Sequence, residues 1–357
     1  MPPTTSAPPA LVVGTGFGCR IHIPALHAAG FDVVGLVGNT TERTERRAKA
    51  SNVPLAFTDL DEAIDKTGAV AVTIATPPHT HAALTLRAIS HGCHVICEKP
   101  MASNADEAQA MLEAAERAGV THLLGNEFRW QADRAIITRA LADGLIGEPR
   151  FLTLISYLSL LAAPDSKMPR WWFNQTAGGG WLGAQGSHIV DQVRTWLGDF
   201  NSVSASLPIV SDRSGVAEDS YVVRFELTNG LQGALQQTAA AWGPSTAMTR
   251  IAGTQGTLWA ENGIVNLANS NGVRQLPVPK DLLLPPPPEL NKDPRHMFSP
   301  LELGRYIRLC EMLRAGVEGN ALKSAVPPPT FHDGLACTKV LDAIRQSASE
   351  DGSLVKL

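Results

Sequence analysis

Ala10-Leu11-Val12-Val13-Gly14-Thr15-Gly16-Phe17-Gly18-Cys19 decides the fold, because a short apolar run enters a glycine turn that opens a helical pattern over Ile21 to Ala29. A glycine fingerprint in that context reads as a dinucleotide-binding turn. Gly14 allows the tight turn, and Gly16 lets the backbone approach a pyrophosphate. The helix start offers free N–H groups and a positive dipole end to the phosphates. Cys19 stands at the third glycine position and is small enough to keep helix and strand close.

Short apolar runs recur at Val33 to Val37, Val70 to Ala75, His94 to Cys97 and Thr121 to Leu124. Helical patterns separate them at Thr41 to Ala50, Leu60 to Lys66, His81 to His91 and Asn104 to Ala118. In the last, Ala108, Met111, Leu112 and Ala115 share one face, with Ser103-Asn104 before it and Gly119 after it as caps. Such alternation predicts a parallel, doubly wound sheet. After residue 128 the pattern changes to Phe151 to Leu160, Val203 to Leu207, Ser220 to Leu227, Leu231 to Thr238, Met248 to Ala252, Gly256 to Glu261 and Ile264 to Leu267. Asn-Gly turns at Asn229-Gly230 and Asn262-Gly263 mark hairpins. Helices are expected at Asp133 to Asp143, Ser187 to Leu197, Pro300 to Ala315 and His332 to Ser347, and a stiff surface loop at Pro285 to Pro288. The reading is a Rossmann dinucleotide-binding α/β domain over residues 1–128. An α+β substrate and oligomerisation domain with an open, mostly antiparallel sheet follows over residues 129–357. Alternation through Leu231, Gly233 and Leu235 suggests a sheet face left partly bare for another subunit.

A chain of 357 residues suits two cores rather than one. With 44% hydrophobic residues and a net charge of −4 it has neither a basic footprint for nucleic acid nor an acidic tail. Small molecules and copies of itself, a dimer or tetramer, are the expected partners. No apolar stretch reaches the ~18 residues of a membrane span, and Met1 to Pro9 lacks the parts of a signal peptide. Cytoplasm is the expected compartment, and the five scattered cysteines suit reduced thiols. Cys93 and Cys97 flank a strand at the wrong spacing for a redox pair, and no metal site is expected, His79 and His81 included.

Thr76-Pro77-Pro78-His79-Thr80-His81, then Cys97-Glu98-Lys99-Pro100, Asn126-Glu127-Phe128-Arg129, the glycine run and Gly-Ser-His over Gly178 to His188, and Phe331-His332-Asp333-Gly334 follow the Gly14 turn in order. Together they resemble the NAD(P)-dependent oxidoreductases of the glucose-fructose oxidoreductase, inositol dehydrogenase and rhizopine catabolism (Gfo/Idh/MocA) family, over nearly the whole chain. The resemblance implies hydride transfer between a nicotinamide and a secondary alcohol or ketone of a sugar, polyol or glycoside. Glycoside cleavage through transient oxidation and non-catalytic nucleotide or sugar binding are the alternatives, because the fold does not fix a substrate.

Taking a hydride from carbon leaves a proton on oxygen, so the site needs a base, and Lys99 at the end of a buried strand is the candidate. Partial loss of hydration readies its ammonium for acid and base work. By resemblance the Lys99–Pro100 peptide is cis. His188, at a helix start, is the second catalytic candidate, as hydrogen-bond partner of the hydroxyl or proton relay. Many relatives carry aspartate where Ala184 stands, which removes a carboxylate partner for an imidazolium. Asp191, one turn on, is a candidate to orient the ring. Substrate contacts are expected from Lys99, His188, Arg129, Tyr157, and Trp171 and Trp172, whose rings suit apolar sugar faces. The cofactor set is Gly14, Thr15, Gly16, Phe17, Gly18, Asn39, Thr40, Arg43, Thr76, Pro77, His81, Glu98, Lys99 and Asn126. His22 is placed with the cofactor loop. At the end of the second strand the acidic residue of an NAD site is absent, and Asn39, Thr40 and Arg43 suit a 2′-phosphate, favouring NADP(H) over NAD(H).

Overall fold

The computed structural model describes residues 7–213, 216–286 and 299–357. Most of the proline-rich leader, and Pro287 and Pro288 of the expected stiff loop, lie outside them. The chain forms two compact units. The first joins Met1–Ala102, Asp106–Trp130 and Leu284–Leu335; the second joins Ser103–Ala105, Gln131–Leu283 and Ala336–Leu357. The chain leaves the first unit after Trp130 and returns to it over Leu284–Leu335, whereas the sequence pattern places a single division after residue 128.

The first unit is a six-stranded sheet of β1 (Pro9–Val13), β2 (Asp32–Val37), β3 (Leu55–Phe57), β4 (Ala71–Ile74), β5 (His94–Cys97) and β6 (His122–Leu124), in the order β3-β2-β1-β4-β5-β6. Every pairing is parallel. Order reverses between β1 and β4, where doubly wound sheets bind ligands at their carboxyl ends. The sequence patterns miss β3, an edge strand whose Leu55 is exposed and which is too short to show a period. The helices are α1 (Ile23–Ala28), α2 (Thr41–Ala50), α3 (Leu60–Thr67), α4 (His81–Ser90) and α5 (Ala105–Ala118). Ala108, Met111, Leu112 and Ala115 of α5 are all buried, as their spacing predicts. The helix after the glycine turn opens with a wide π-turn over Gly18–His22. A Cβ on Gly18 would lie 2.7 Å from Val12 Cγ1. The close approach of helix to strand thus falls on Gly18, one residue before Cys19.

A later helix, α8 (Ser299–Val317), completes this unit. Its Leu303, Tyr306, Ile307, Cys310 and Leu313 are buried, and it packs against α1, β5 and β6. Leu123 of β6 forms an antiparallel bridge with Thr330, and Phe331 is wholly buried in the same core.

The second unit is built on a nine-stranded sheet: β7 (Pro149–Tyr157), β8 (Phe200–Ser206), β9 (Ser220–Leu227), β10 (Gln232–Thr238), β11 (Thr246–Gly253), β12 (Gly256–Glu261), β13 (Ile264–Asn269), β14 (Gly272–Gln275) and β15 (Val355–Lys356). The order is β14-β13-β12-β11-β7-β10-β9-β8-β15, antiparallel except for β7 with β10. Helices α6 (Ala132–Ala142), α7 (Ser187–Leu197) and the later part of α9 (Phe331–Ser349) belong to it. Leu152, Leu154, Tyr221, Val223, Phe225 and Leu235 form the buried sheet face. Leu231 and Leu235 are buried, so the bare face carries the alternate positions instead. Phe151, Val222 and Ile264, each 45–51% exposed, lie on it, linked by cross-strand pairs through Gln236, Ile155 and Met248.

Candidate active site

In the first unit Gly14 follows β1 with φ +121°, a backbone that favours glycine, and a Cβ there would sit 2.3 Å from the Ala75 carbonyl oxygen. The ends of β1 and β4 touch only because that atom is missing. Thr15 is buried beneath the turn; Phe17 packs edge-on against His22 and Tyr306, with ring centroids 5.5 and 5.9 Å away. Gly16 opens onto free space, with nothing within 4 Å of where a Cβ would lie. Asn126, after β6, is fully buried, and among the described residues neither amide atom has a hydrogen-bond partner. An open cradle at Gly16 and an unanswered amide at Asn126 fit a bound dinucleotide.

Asn39, Thr40 and Arg43 are exposed at the end of β2 and the start of α2. Thr40 takes the N-cap position with no side-chain capping bond. Arg20, Arg43 and Arg47 direct positive charge at Cys19, whose thiol burial nonetheless pushes up.

Thr76 and Pro77 follow β4, and Thr76 Oγ1 accepts from the Thr80 hydroxyl at 2.7 Å. His81, wholly buried at the start of α4, reaches the Pro100 carbonyl through Nδ1 at 2.9 Å and the Thr76 carbonyl through Nε2 at 2.8 Å. Burial holds its pKa below the usual histidine value, against the pull of the two carbonyls. One ring therefore ties the loop after β4 to the loop carrying Lys99, and its nitrogens face the protein backbone. The Lys99–Pro100 peptide is cis, and Lys99 is half-buried.

Glu98 points into the core rather than outward. Its Oε1 accepts from the Tyr306 hydroxyl at 2.5 Å and pairs with His22 Nε2 at 3.2 Å, while His22 stacks on Tyr306 at 4.5 Å. Burial alone would push the Glu98 carboxyl up; His22, the Lys99 charge and Tyr306 outweigh it and hold it below its usual range. Arg129 is likewise committed inward, to Asp333 at 3.0 Å and the Pro327 carbonyl at 3.1 Å, all within the first unit. The expected substrate clamp is thus a structural ion pair.

In the second unit His188 is buried at the start of α7, one residue after a π-turn over Leu182–Gly186 that includes Ala184. Its carbonyl accepts from Arg134 Nη1 at 3.4 Å. Asp191 is buried one turn further. Trp171 and Trp172 are half-buried, with Trp172 5.7 Å from Trp181 and 6.1 Å from Trp171. Tyr157 does not join them. It lies on the bare face of the second sheet, where its hydroxyl accepts from Gln236 Nε2 at 2.6 Å, whereas α7 and His188 belong to the buried layer.

Two carboxyls that feel the Lys99 charge, the buried Glu127 and the half-buried Glu302, escape the sequence reading. Burial pushes Glu127 up to about 8 and Glu302 up to about 7. Glu127 lies inside the Asn126 to Arg129 motif, so an acidic side chain one turn from a strand end was the available signal; Glu302 shows none, because its helix joins this unit only in the fold. Among the described residues no group of three or more His, Cys, Asp or Glu side chains is placed to hold a metal.

Residues 10–126 match the model of an oxidoreductase family with an NAD-binding Rossmann fold, and residues 135–259 match the GFO/IDH/MocA C-terminal domain. A 1,5-anhydro-D-fructose reductase of Ensifer adhaerens is 30% identical over 270 residues, covering 72% of this chain and 78% of that protein. A levoglucosan dehydrogenase of Pseudarthrobacter phenanthrenivorans is 30% identical over 212 residues, 52% of this chain and 54% of the relative. In fold, the chain is similar to a solved levoglucosan dehydrogenase in complex with NADH and L-sorbose, with a TM-score of 0.84 over 99% of both chains at 24% identity. The glycine turn, the Glu98-Lys99-Pro100 strand end and the pair of matched domains show that this chain belongs to the Gfo/Idh/MocA family of oxidoreductases.

Proposed function

We propose that the protein is a dehydrogenase or reductase acting on a secondary alcohol or ketone of a sugar, polyol or glycoside. The observation that carries this reading is Lys99, held at the carboxyl end of β5 beside the sheet's switch point by the His81 bridge. When bound, a nicotinamide nucleotide supplies the hydride acceptor or donor. The residues proposed to hold it are Gly14 to Gly18, Thr76, Pro77 and Asn126. Lys99 is proposed to take the hydroxyl proton in oxidation and return it in reduction. His188, in the second unit, is proposed as a hydrogen-bonding partner of the reacting oxygen, and Trp171 and Trp172 as apolar faces for a ring. Sugar-active relatives support the substrate class.

NADP(H) is the preferred cofactor in this reading. Asn39, the uncapped Thr40 and Arg43 offer donors and positive charge where an NAD site would offer a carboxylate. Among the described residues no helix is long and apolar enough to cross a membrane. The five cysteines are free thiols, and we place the enzyme in the cytoplasm.

A panel of anhydrosugars, aldoses, inositols and glycosides, screened with NAD⁺ and NADP⁺ by absorbance of the reduced nicotinamide, tests the reading. Nucleotide reduction with at least one polyol is expected. Glycoside cleavage without added nucleotide, or tight nucleotide binding with no turnover on any member, would replace it.

A further inference from the structure

The strand ladder that delivers Lys99 ends one residue before it, where the Glu98 N–H donates to the Ile74 carbonyl at 3.0 Å. The next N–H, that of Lys99 itself, donates to Glu98 Oε2 at 3.3 Å. On the other side of the lysine, the Pro100 carbonyl meets His81 Nδ1 at 2.9 Å. The backbone of Lys99 is thus held from both sides by side chains, and the amino-side hold is only as firm as the Glu98 carboxylate.

Two residues from elsewhere in the first unit set that carboxylate. Its Oε1 accepts from the Tyr306 hydroxyl of α8 at 2.5 Å and pairs at 3.2 Å with Nε2 of His22, the last residue of the π-turn behind the glycine turn. His22 and Tyr306 are wholly buried and stack at 4.5 Å, with Phe17 of the glycine turn edge-on to both. The turn after β6 closes a further side. A Cβ on Gly125 would lie 2.6 Å from Glu98 Oε1, so the carboxylate has no room to swing that way. A buried carboxylate is held in one place by the donors that answer it, and deleting one of them leaves it underpaired and free to move.

We propose that Tyr306 and His22 are positioning residues for proton transfer: through Glu98 they fix the backbone from which Lys99 reaches the reacting oxygen. Both act through Glu98 and exchange no proton with the substrate. This rests on Lys99 as the proton carrier. The segment that cradles the phosphates and the segment that delivers the lysine are fastened to one carboxylate, His22 from the first and Glu98 from the second, with Tyr306 as the brace behind them.

Reductive methylation with carbon-13 formaldehyde gives the lysines an NMR-visible label with no need of nucleotide or substrate, and Lys99→Met identifies the Lys99 signal by its loss. Tyr306→Phe keeps the ring against His22 and Phe17 and removes the hydroxyl alone. In that variant the Lys99 signal should shift or broaden while the other lysine signals stay in place. A Lys99 signal unmoved both in Tyr306→Phe and in His22→Phe, which keeps a ring and removes the N–H, overturns the proposal. Shifts spread over all the labelled lysines would mean general loosening and would overturn it as well.

Turnover reads the consequence. With NADP⁺ and the polyol that reduces it fastest, Tyr306→Phe should lower kcat by about 10-fold to 100-fold, the scale of a displacement near 1 Å. KM and the dissociation constant of NADPH should stay within about twofold of wild type. Where Lys99 is already Met, the same substitution should change kcat by less than about twofold, because a residue that acts through Lys99 has nothing left to position. An equal fold loss in both backgrounds refutes the positioning role. Should Tyr306→Phe not fold, His22→Phe carries the same cycle with the same two outcomes. Turnover near wild type in Lys99→Met alone removes the role of Lys99, whereas an unmoved Lys99 signal removes the positioning, so the two failures are told apart.

Discussion

His81 fixes the backbone that carries Lys99 by bonding the carbonyls of Pro100 and Thr76. Lys99→Met keeps the apolar stem and loses the proton. Turnover should fall by about 100-fold to 10,000-fold, the usual span for general acid or base catalysis, with nucleotide affinity retained. Stopped-flow turnover and fluorescence titration of NADPH measure the two separately, and near-normal turnover would make Lys99 structural. Asn39→Asp places a carboxylate where the 2′-phosphate is proposed to lie. The ratio of kcat/KM for NADP⁺ over NAD⁺ should fall by at least about tenfold, and an unchanged ratio would remove Asn39 from cofactor choice. Motif residues such as Gly14, His81 and Lys99 were legible in the sequence because their spacing to a strand end carries their geometry. Arg129 was not. An arginine after a strand looks the same whether it meets a substrate or, as here, Asp333 from more than 200 positions along the chain.

Strand and helix periods gave nearly every element of the first sheet, and the misses have local causes: β3 is short and at an edge, and the π-turn shifts the close contact from Cys19 to Gly18. The junction of β1 and β4 tolerates no added atom. Gly14→Ala sets a Cβ against the Ala75 carbonyl at 2.3 Å with φ +121°, so the strand ends must part or the turn must change. A cost of about 1–3 kcal/mol for the backbone alone is expected, seen as a lower melting temperature together with weakened nucleotide binding. An unaltered melting curve would show that the strand ends can separate freely. The destination of α8 was invisible to periodicity. Its apolar stripe predicts a helix, but a stripe says only that something covers it; Glu98 and His22 are what fix Tyr306 in the first unit.

Across the whole molecule, the nine-stranded sheet leaves one face bare, with Phe151, Val222 and Ile264 half-exposed among polar neighbours. We propose that this face seats a second copy of the chain. Sedimentation at micromolar protein should show a dimer or tetramer, and Val222→Asp with Phe151→Asp should shift it toward monomer; a wild-type monomer would refute this. The change of period after residue 128 marks a change of local structure, but it says nothing of the return of Leu284–Leu335 to the first unit, because alternation reports local structure and that return is a long-range choice. That return has a consequence for synthesis. Tyr306, which braces Glu98, and Phe331, which seals the core behind β6, are made after the glycine turn and after strands β7 to β14 of the second unit. The usual order, in which an amino-terminal domain closes while the rest is still being made, cannot run to completion here. The nascent nucleotide fold must wait, its core unsealed, until strands β7 to β14 of the second unit have been made.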